Sequence, residues 1–384
     1  MHDALILAAG RSAFGARHGR LASWHPTDLL AAAFEATLER AEADPGEIDE
    51  VLVGCATPVG AQAANLAGQA VRACTRLPVM PATVVSTQDT SSLVALVRAV
   101  DAVRSGRCGM VLVGGVESMS TVPAGADMTH RGFGLPAAPL GERAPLPPGP
   151  AAEGWATRHG VDRERLEAVA LRSLSRSQRA QATGRFAAEI LPVTDRAAPD
   201  AAPADELVVA SVAGGRPADA PGSTGTYSHD GLLTASTVAP MADGAAAAVV
   251  ASPAVARRWG AEPVARVCAT AAVGGDPRAG CGASPEATAR VLAAAGLQDR
   301  DISRVELAEL FATSVVHWEL ARADLAELVN PDGGSLALGH PQGATGLGLV
   351  ARLVRALAGL PGGGYGAAAC DATDGHGVAV LLGA

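Results

Sequence analysis

The chain of 384 residues is long enough for a large hydrophobic core in two or three domain-sized units. With 48% hydrophobic and 18% charged residues, its composition is typical of a packed helix-and-sheet protein and excludes a disordered one. The net charge of −9 and the isoelectric point near 5.5 argue against nucleic acid or an anionic membrane as a partner.

The predicted elements repeat one pattern twice. The first copy has strands at 2–9, 51–53 and 110–114 and helices at 28–40 and 93–105. The second copy has strands at 264–267, 305–307 and 377–382 and helices at 285–295 and 346–357. The strand at 245–251 is expected to return to the first copy. Strands that alternate with helices predict mostly parallel sheets covered on both faces.

Between the two copies, the composition of residues 118–236 changes. Proline and glycine cluster at 136–150 and 197–225, and one strong helix is predicted at 162–182. A long insertion on a rigid scaffold is usually a lid or a binding loop, although a purely structural excursion is the alternative. We therefore predict a first half of residues 1–117 plus 237–258, an inserted domain of residues 118–236 and a second half of residues 259–384.

Two features of composition restrict the chemistry and the compartment. The chain contains no lysine, which excludes a lysine Schiff base and a covalent link to pyridoxal phosphate. Six scattered cysteines without a CxxC pair predict buried thiols, not disulfides or zinc ligands. The start has no basic segment followed by an apolar run, and no uninterrupted apolar stretch has transmembrane length. We expect a cytoplasmic protein.

Several ordered motifs resemble those of the thiolase family. They are GGVESMS at 114–120, ELAELFA at 306–312, GGSLALGHPQGATG at 333–346 and YGAAACDATDGHGVA at 365–379. The resemblance covers nearly the whole chain. It implies an α/β thiolase fold, in which duplicated βαβαβαββ halves form a five-layered α-β-α-β-α core with an inserted loop domain.

The resemblance places two carboxylates where the family has its catalytic cysteines. Asp89 falls at the position of the nucleophilic cysteine, and Asp371 falls at that of the acid/base cysteine. His340 is the one residue of the usual catalytic set that remains. The family fold brings these three positions into one pocket, so we expect Asp89, His340 and Asp371 to form a catalytic trio in a protein that lacks both catalytic cysteines.

Other positions near these motifs are possible pocket residues. Ala308 replaces the family's asparagine that holds a catalytic water, and Asp374 replaces one of two glycines, the other being replaced by Thr373. The remaining pocket candidates are Glu309, Gly375 and His376. The backbone amides of residue 89 and of the Gly375 region are candidates for an oxyanion hole. His376 has the alternative role of a loop-packing histidine, and no ligand spacing supports a metal site.

The expected trio suits proton transfer. One of two neighbouring carboxylates has a raised pKa unless a cation lies between them, and His340 as an imidazolium is such a cation. This arrangement can remove the α proton of a thioester, which favours a non-covalent enolate mechanism for an aldol, retro-aldol or condensation reaction. The family implies an acyl group on CoA or phosphopantetheine, no further cofactor, a homodimer or tetramer and, in some members, a small accessory protein.

Three alternatives remain open. Asp89 precedes a buried helix and also suits a helix N-cap, which would make the protein a catalytically silent subunit that binds a partner protein. Such a subunit would have a filled pocket. The second alternative is a thioester hydrolase in which Asp371 and His340 activate water. The third is covalent acyl transfer through Asp89, whose carboxylate is a weaker nucleophile than a thiolate.

Overall fold

The structure is a computed structural model that describes residues 3–129, 146–193, 196, 200, 202–212, 225–228, 230–360 and 362–384. The strands in these ranges are β1 Ala4–Arg11, β2 Gly15–Ala16, β3 Glu50–Gly54, β4 Ala82–Val85, β5 Met110–Ser118, β6 Ala242–Ala251, β7 Ala265–Gly274, β8 Ile302–Leu307, β9 Tyr365–Asp371 and β10 His376–Gly383. The helices are α1 Pro26–Arg40, α2 Leu66–Ala73, α3 Ser91–Arg104, α4 Ala126–Thr129, α5 Pro148–Arg158, α6 Arg163–Ala182, α7 Glu206–Val212, α8 Pro253–Trp259, α9 Ser284–Ala295, α10 Ala312–Ala321, α11 Ser335–Leu338 and α12 Gln342–Ala358.

The strands form one sheet in the order β4-β3-β5-β6-β1-β7-β10-β9-β8, with β2 beside β6. Strand β1 joins the two halves, because it pairs with β6 along most of its length and with β7 only over Ala4–Ile6. The prediction that the strand at 245–251 returns to the first half is confirmed, since β6 lies between β5 and β1.

The prediction of mostly parallel sheets is wrong. Among the described strands, β3 is parallel to β4 and β5, and β8 is parallel to β9, whereas the other pairings are antiparallel. Two connections explain the difference. A tight turn after Asp371 reverses the chain from β9 into β10, and the chain enters β6 from the inserted segment without a crossover helix directly before it.

The predicted five layers are confirmed by the packing. Helices α3 and α12 share one hydrophobic cluster with strands of both halves, so they form the middle layer. Helices α1 and α2 cover the outer face of the first half, and α9 and α10 cover that of the second. The middle helices approach closely at Gly346, where a Cβ atom would lie 2.9 Å from that of Leu93.

The inserted segment is described in part. Helix α6 matches the helix predicted at 162–182, and Asp162 caps it by accepting a hydrogen bond from the amide of Arg165 at 2.8 Å. Most of the two clusters rich in proline and glycine lies outside the described residues. The division into two halves and an inserted domain stays a prediction. Among the described helices, none combines the length and the apolar character needed to cross a bilayer.

Candidate active site

A tight turn before α3 separates the side chains of Gln88 and Asp89. The amide of Ser91 donates to the carbonyl of Gln88 at 3.1 Å, and Gln88 itself has a φ of 52°, a left-handed conformation that non-glycine residues rarely adopt. Gln88 lines a cavity, whereas Asp89 is only 1% exposed. The helix begins at Ser91 with Thr90 as its N-cap, so the interpretation of Asp89 as the N-cap is wrong.

Asp89 and His340 form a buried pair. The His340 Nε2 atom lies 2.8 Å from Asp89 Oδ1, and His340 Nδ1 lies 3.0 Å from the hydroxyl of Thr345, one turn into α12. His340 is fixed in turn by its amide, which donates to the carbonyl of Pro240 at 2.9 Å. The second carboxylate oxygen of Asp89, Oδ2, is buried and has no donor among the residues that the structure describes. One oxygen of Asp89 is therefore held by the histidine and the other is uncommitted.

Asp371 does not join this pair. Its Oδ1 accepts a hydrogen bond from the amide of Ser284 at 2.6 Å, and its Oδ2 accepts one from the Ser284 hydroxyl at 2.8 Å. Ser284 is the first residue of α9, so the carboxylate satisfies an otherwise free amide at that helix end. Burial raises the pKa of Asp371, although hydrogen bonds from Ser284 and the amide of Gly282 act against this rise. The expected trio is corrected to a pair and a separate helix-capping carboxylate.

The direction of Asp371 follows from the alternation of side chains along β9. Successive strand residues face opposite sides of a sheet. Cys370 faces the middle layer, where its Sγ lies 3.3 Å from the carbonyl oxygen of Asp89. Asp371 shares the other face with Ala369, which belongs to the outer cluster around α9 and α10. The carboxylate at position 371 is thus on the far side of the strand from the helix that Asp89 precedes.

Ala308 and Glu309 are not pocket residues. Ala308 is buried, and its amide pairs with the carbonyl of Ala369 at 3.0 Å. The Glu309 carboxylate accepts hydrogen bonds from Asn330 Nδ2 at 2.7 Å and from the hydroxyl of Ser173 on α6 at 2.7 Å. Burial raises the pKa of Glu309, and these hydrogen bonds oppose that effect. Both residues were predicted as pocket residues. Ala308 instead belongs to the buried core, and Glu309 links helix α6 to the core through hydrogen bonds.

The last loop packs against the turn before α3. The Gly375 amide donates to the carbonyl of Ala372 at 3.1 Å, so it is used within its own turn and not in the expected oxyanion hole. His376 Nε2 lies 2.7 Å from the Thr90 hydroxyl, and its Nδ1 lies 2.6 Å from Asp374 Oδ1. Burial raises the pKa of Asp374, but the hydrogen bond and charge of His376 outweigh it and lower that pKa. His376 and Asp374 therefore have the loop-packing role.

A cavity of about 460 Å³ reaches His340. Its walls are mainly apolar, with Met119, Tyr227, Met241, Leu310 and Phe311 among the lining residues, and Thr57, Gln88, Gln342 and Thr373 add polar groups. Of the predicted catalytic residues, His340 alone is in this lining. Tyr227 and Phe311 line the cavity but are not among the residues predicted from the sequence. The signal available for them was the scarcity of aromatic residues, since the chain has two tyrosines and five phenylalanines.

The chain has cysteines, but none of them lines this cavity among the described residues. Cys370 is the one beside Asp89, and burial, followed by the charges of Asp89 and Asp371, raises the pKa of its thiol well above the ordinary value. Burial also raises the pKa of Cys108, to about 11, and those of Cys55 and Cys281 further. A thiol with a raised pKa is protonated near neutral pH and is a poor nucleophile.

Comparison with known proteins agrees with this architecture. Residues 4–254 match the family described as "Thiolase, N-terminal domain", and residues 261–384 match "Thiolase, C-terminal domain". The chain is 35% identical to a 3-ketoacyl-CoA thiolase of Bacillus subtilis (strain 168), over 93% of both chains. It is 31% identical to an acetyl-CoA acetyltransferase of Escherichia coli (strain K12), also over 93% of both chains.

A solved structure gives the same result for the fold. The structure of human mitochondrial 3-ketoacyl-CoA thiolase in complex with CoA superposes with a TM-score of 0.88 and 26% identity, and the match covers 100% of this chain and 98% of the human one. Matches to both family domains, close relatives over nearly the full length and a common fold lead to one conclusion. The chain belongs to the thiolase family.

Proposed function

We propose that this protein is an enzyme that removes the α proton of an acyl thioester carried by CoA or phosphopantetheine, without a covalent acyl-enzyme, and uses the enolate for carbon–carbon bond chemistry. The observation that carries the proposal is the buried Asp89–His340 pair, in which the histidine lines the cavity and one oxygen of Asp89 has no donor among the described residues. The names of the relatives, 3-ketoacyl-CoA thiolase and acetyl-CoA acetyltransferase, indicate acyl-CoA thioesters as their substrates, and this supports the same class of substrate here.

In the proposed reaction, Asp89 Oδ2 is the base. It takes the proton from the α carbon, the C–H electron pair forms the double bond of the enolate, and the carbonyl electron pair moves onto oxygen. Gln342 lines the cavity, and its side-chain amide can donate a hydrogen bond to that oxygen. The enolate carbon then attacks an acceptor carbonyl, and protonated Asp89 returns its proton to the new alkoxide.

His340 acts on the carboxylate in this scheme. The hydrogen bond from Nε2 to Oδ1 fixes the orientation of Asp89 and stabilises its negative charge inside the protein. A neutral imidazole satisfies both contacts if Nε2–H donates to Asp89 and Nδ1 accepts from the Thr345 hydroxyl. His340 is also the member of the pair that lines the cavity, so it can contact the substrate directly.

The state of the cysteines supports a route without a thiolate. In a covalent acyl transfer, the nucleophile must be ionised and reach the bound thioester. The thiols described here are free, their pKa values are raised by burial, and none is in the cavity lining. The absence of a cysteine nucleophile and the enolate route are parts of this proposal.

The alternatives gain less support. A silent subunit predicts a filled pocket, whereas a cavity of about 460 Å³ leads to His340. A hydrolase that uses Asp371 with His340 requires these groups to share a water. Both oxygens of Asp371 are engaged by Ser284, and the ring nitrogens of His340 are engaged by Asp89 and Thr345. Neither alternative has a specific contact in its favour.

The test is hydrogen exchange at the α carbon of a panel of acyl-CoA thioesters in deuterated water. The wild-type protein should incorporate deuterium into at least one thioester, and its intact mass should show no acyl adduct. The variant His340→Ala should lose the exchange. Exchange absent from every thioester of the panel, or a stable acyl adduct on the protein, would contradict the proposal.

Cys370→Ala is the matched control, because it removes the thiol that lies against the backbone of Asp89 without changing the Asp89–His340 pair. It should keep the exchange activity. Loss of exchange in this variant, with an unchanged unfolding midpoint, would point to a thiol-dependent route instead. Gel filtration with light scattering tests the expected homodimer or tetramer separately.

A further inference from the structure

The turn before α3 and the loop 372–376 are joined by two polar contacts that flank Asp89. On one side, the Thr373 hydroxyl donates a hydrogen bond to Gln88 Oε1. On the other side, the Thr90 hydroxyl contacts His376 Nε2 at 2.7 Å. The two residues adjacent to Asp89 in sequence are therefore both tied to the same loop.

The backbone of loop 372–376 is hydrogen-bonded within itself and to a neighbouring segment. The amide of Ala372 donates to the carbonyl of His376 at 2.8 Å, and the carbonyl of Gly375 accepts from the amide of Gly275 at 2.7 Å. Gly375 has a φ of 96°, and a Cβ atom there would lie 2.7 Å from the backbone of Pro277. A side chain at position 375 would therefore collide with the neighbouring segment. The parts of this contact that can move are the side chains of Gln88 and Thr373, not the loop backbone.

Both residues of this hydrogen bond are in the cavity wall, and Asp89 is not. Gln88, Thr373 and His340 line the cavity, whereas Asp89, which adjoins Gln88 in sequence and His340 in space, is only 1% exposed. An uncommitted buried carboxylate oxygen is costly, and it becomes useful only if a ligand can reach it. The hydrogen-bonded pair Gln88–Thr373 is thus in the same cavity wall as His340, the histidine that contacts the proposed base.

We propose that the Gln88–Thr373 hydrogen bond is a gate that closes the cavity off from Asp89, and that rotation of these two side chains admits the substrate to the carboxylate. The gate rests on the proposed function for its purpose, but its existence can be tested without any turnover. Gln88 and Thr373 are positioning residues here, since they control access to the group that touches the substrate.

The probe is a water-soluble carbodiimide with glycine ethyl ester, which converts accessible carboxylates to amides. Trypsin releases residues 77–98 as one peptide whose single acidic residue is Asp89. It also releases residues 279–290, whose single acidic residue is Glu286, a side chain that is 59% exposed. The ratio of amide formation in these two peptides measures the accessibility of Asp89 with a reference inside the same molecule.

In the wild-type protein, Asp89 should react far more slowly than Glu286. Thr373→Val keeps the shape of the side chain and removes the hydroxyl, and Gln88→Met removes the acceptor. Each variant should raise the Asp89 rate by about two- to tenfold, the factor expected for the loss of one neutral hydrogen bond. Thr57→Val removes another threonine hydroxyl from the cavity wall and should leave the Asp89 rate unchanged.

Two outcomes would overturn the gate. One is a wild-type Asp89 that reacts as fast as Glu286, which would show that the cavity is already open. The other is a rate in Thr373→Val and Gln88→Met equal to that of the wild type. Unchanged unfolding midpoints and Glu286 rates show that these variants are folded. If the labelling rates change as expected but no thioester exchanges deuterium, the gate is retained and the proposed function is rejected. If deuterium exchange occurs but the labelling rates do not change, the proposed function is retained and the gate is rejected.

Discussion

Asp89 and Asp371 are two aspartates that both contact Cys370, yet their surroundings differ. Asp89 contacts His340 through one oxygen, and its other oxygen has no donor in the described part of the chain. Both carboxylate oxygens of Asp371 accept hydrogen bonds from Ser284, at the start of α9. The difference shows that residue type alone does not make a carboxylate a base. A carboxylate whose lone pairs are all engaged stabilises a fold, and one with an uncommitted oxygen can take a proton.

The largest expected effect is that of Asp89→Asn on catalysis. Asparagine can still accept the hydrogen bond from His340 through its carbonyl oxygen, but it cannot take a proton. Deuterium exchange of the thioester should fall by about 10²- to 10⁴-fold, the usual contribution of a positioned base. Asp371→Asn should keep a rate close to that of the wild type. Equal losses in the two variants would remove the distinction between the two carboxylates.

The second expected effect concerns stability. Asp371→Ala leaves the amide and the hydroxyl of Ser284 without their acceptor, and each buried donor left unpaired costs about 1–3 kcal/mol. The free energy of unfolding, measured with urea, should fall accordingly. Glu286→Ala, at an exposed position of the same helix, is the control and should change the stability by less than about 0.5 kcal/mol. A stable Asp371→Ala protein would contradict the capping role.

The third effect is a pH dependence that follows from the raised pKa of Asp371. The folded state holds this proton to a higher pH than the unfolded state, whose aspartate pKa is about 3.9. The contribution of Asp371 to the free energy of unfolding is fully present below its pKa in the unfolded state. It is lost as the pH rises through its pKa in the folded state, with a slope of at most about 1.4 kcal/mol per pH unit.

The contribution of Asp371 is measured as the difference between the wild type and Asp371→Asn in the pH dependence of the free energy of unfolding. Other buried carboxylates with raised pKa values, such as Glu117 and Glu309, give slopes of the same sign in both proteins. The wild type should therefore lose stability with rising pH more steeply than Asp371→Asn in this window. Parallel curves for the two proteins would show that Asp371 has an ordinary pKa in the folded state.

The smallest expected effect on catalysis is that of a substitution at Thr345, which contacts the ring of His340. Thr345→Val removes the partner of His340 Nδ1, and the exchange rate should fall by about two- to tenfold, as for one neutral hydrogen bond. Thr345→Ser keeps a hydroxyl at this position and should restore most of the rate. An unchanged rate in Thr345→Val would limit Thr345 to packing.

The motifs were sufficient to predict the family, the layers and the pairing of position 89 with His340. They failed at Asp371 because the predicted elements include no strand at 365–371. It is a strand in which the buried residues Ala367 to Ala369 give little β-propensity. Strand alternation would have separated Cys370 from Asp371. Recognising the strand was therefore the missing step.

Other errors have different physical causes. The parallel sheet was inferred from alternating elements, but the direction of β6 depends on the path of the chain through the inserted segment, which local sequence does not determine. Glu309 was chosen for its place in a motif, whereas its role depends on Ser173 and Asn330, which are distant in sequence. The cavity walls likewise combine segments that only the fold brings together.

The position of β9 between β8 and β10 also determines which functional group meets the proposed base. Its ladder with β10 runs from Tyr365 to Asp371 without a bulge, so the strand cannot shift easily along its neighbour. A deletion of one residue within β9 would transpose the two faces, bringing a carboxyl group into contact with the middle helices and sending a thiol toward α9. Insertion and deletion variants of β9 would in this way place a carboxyl group where the structure has a thiol, next to the middle helices.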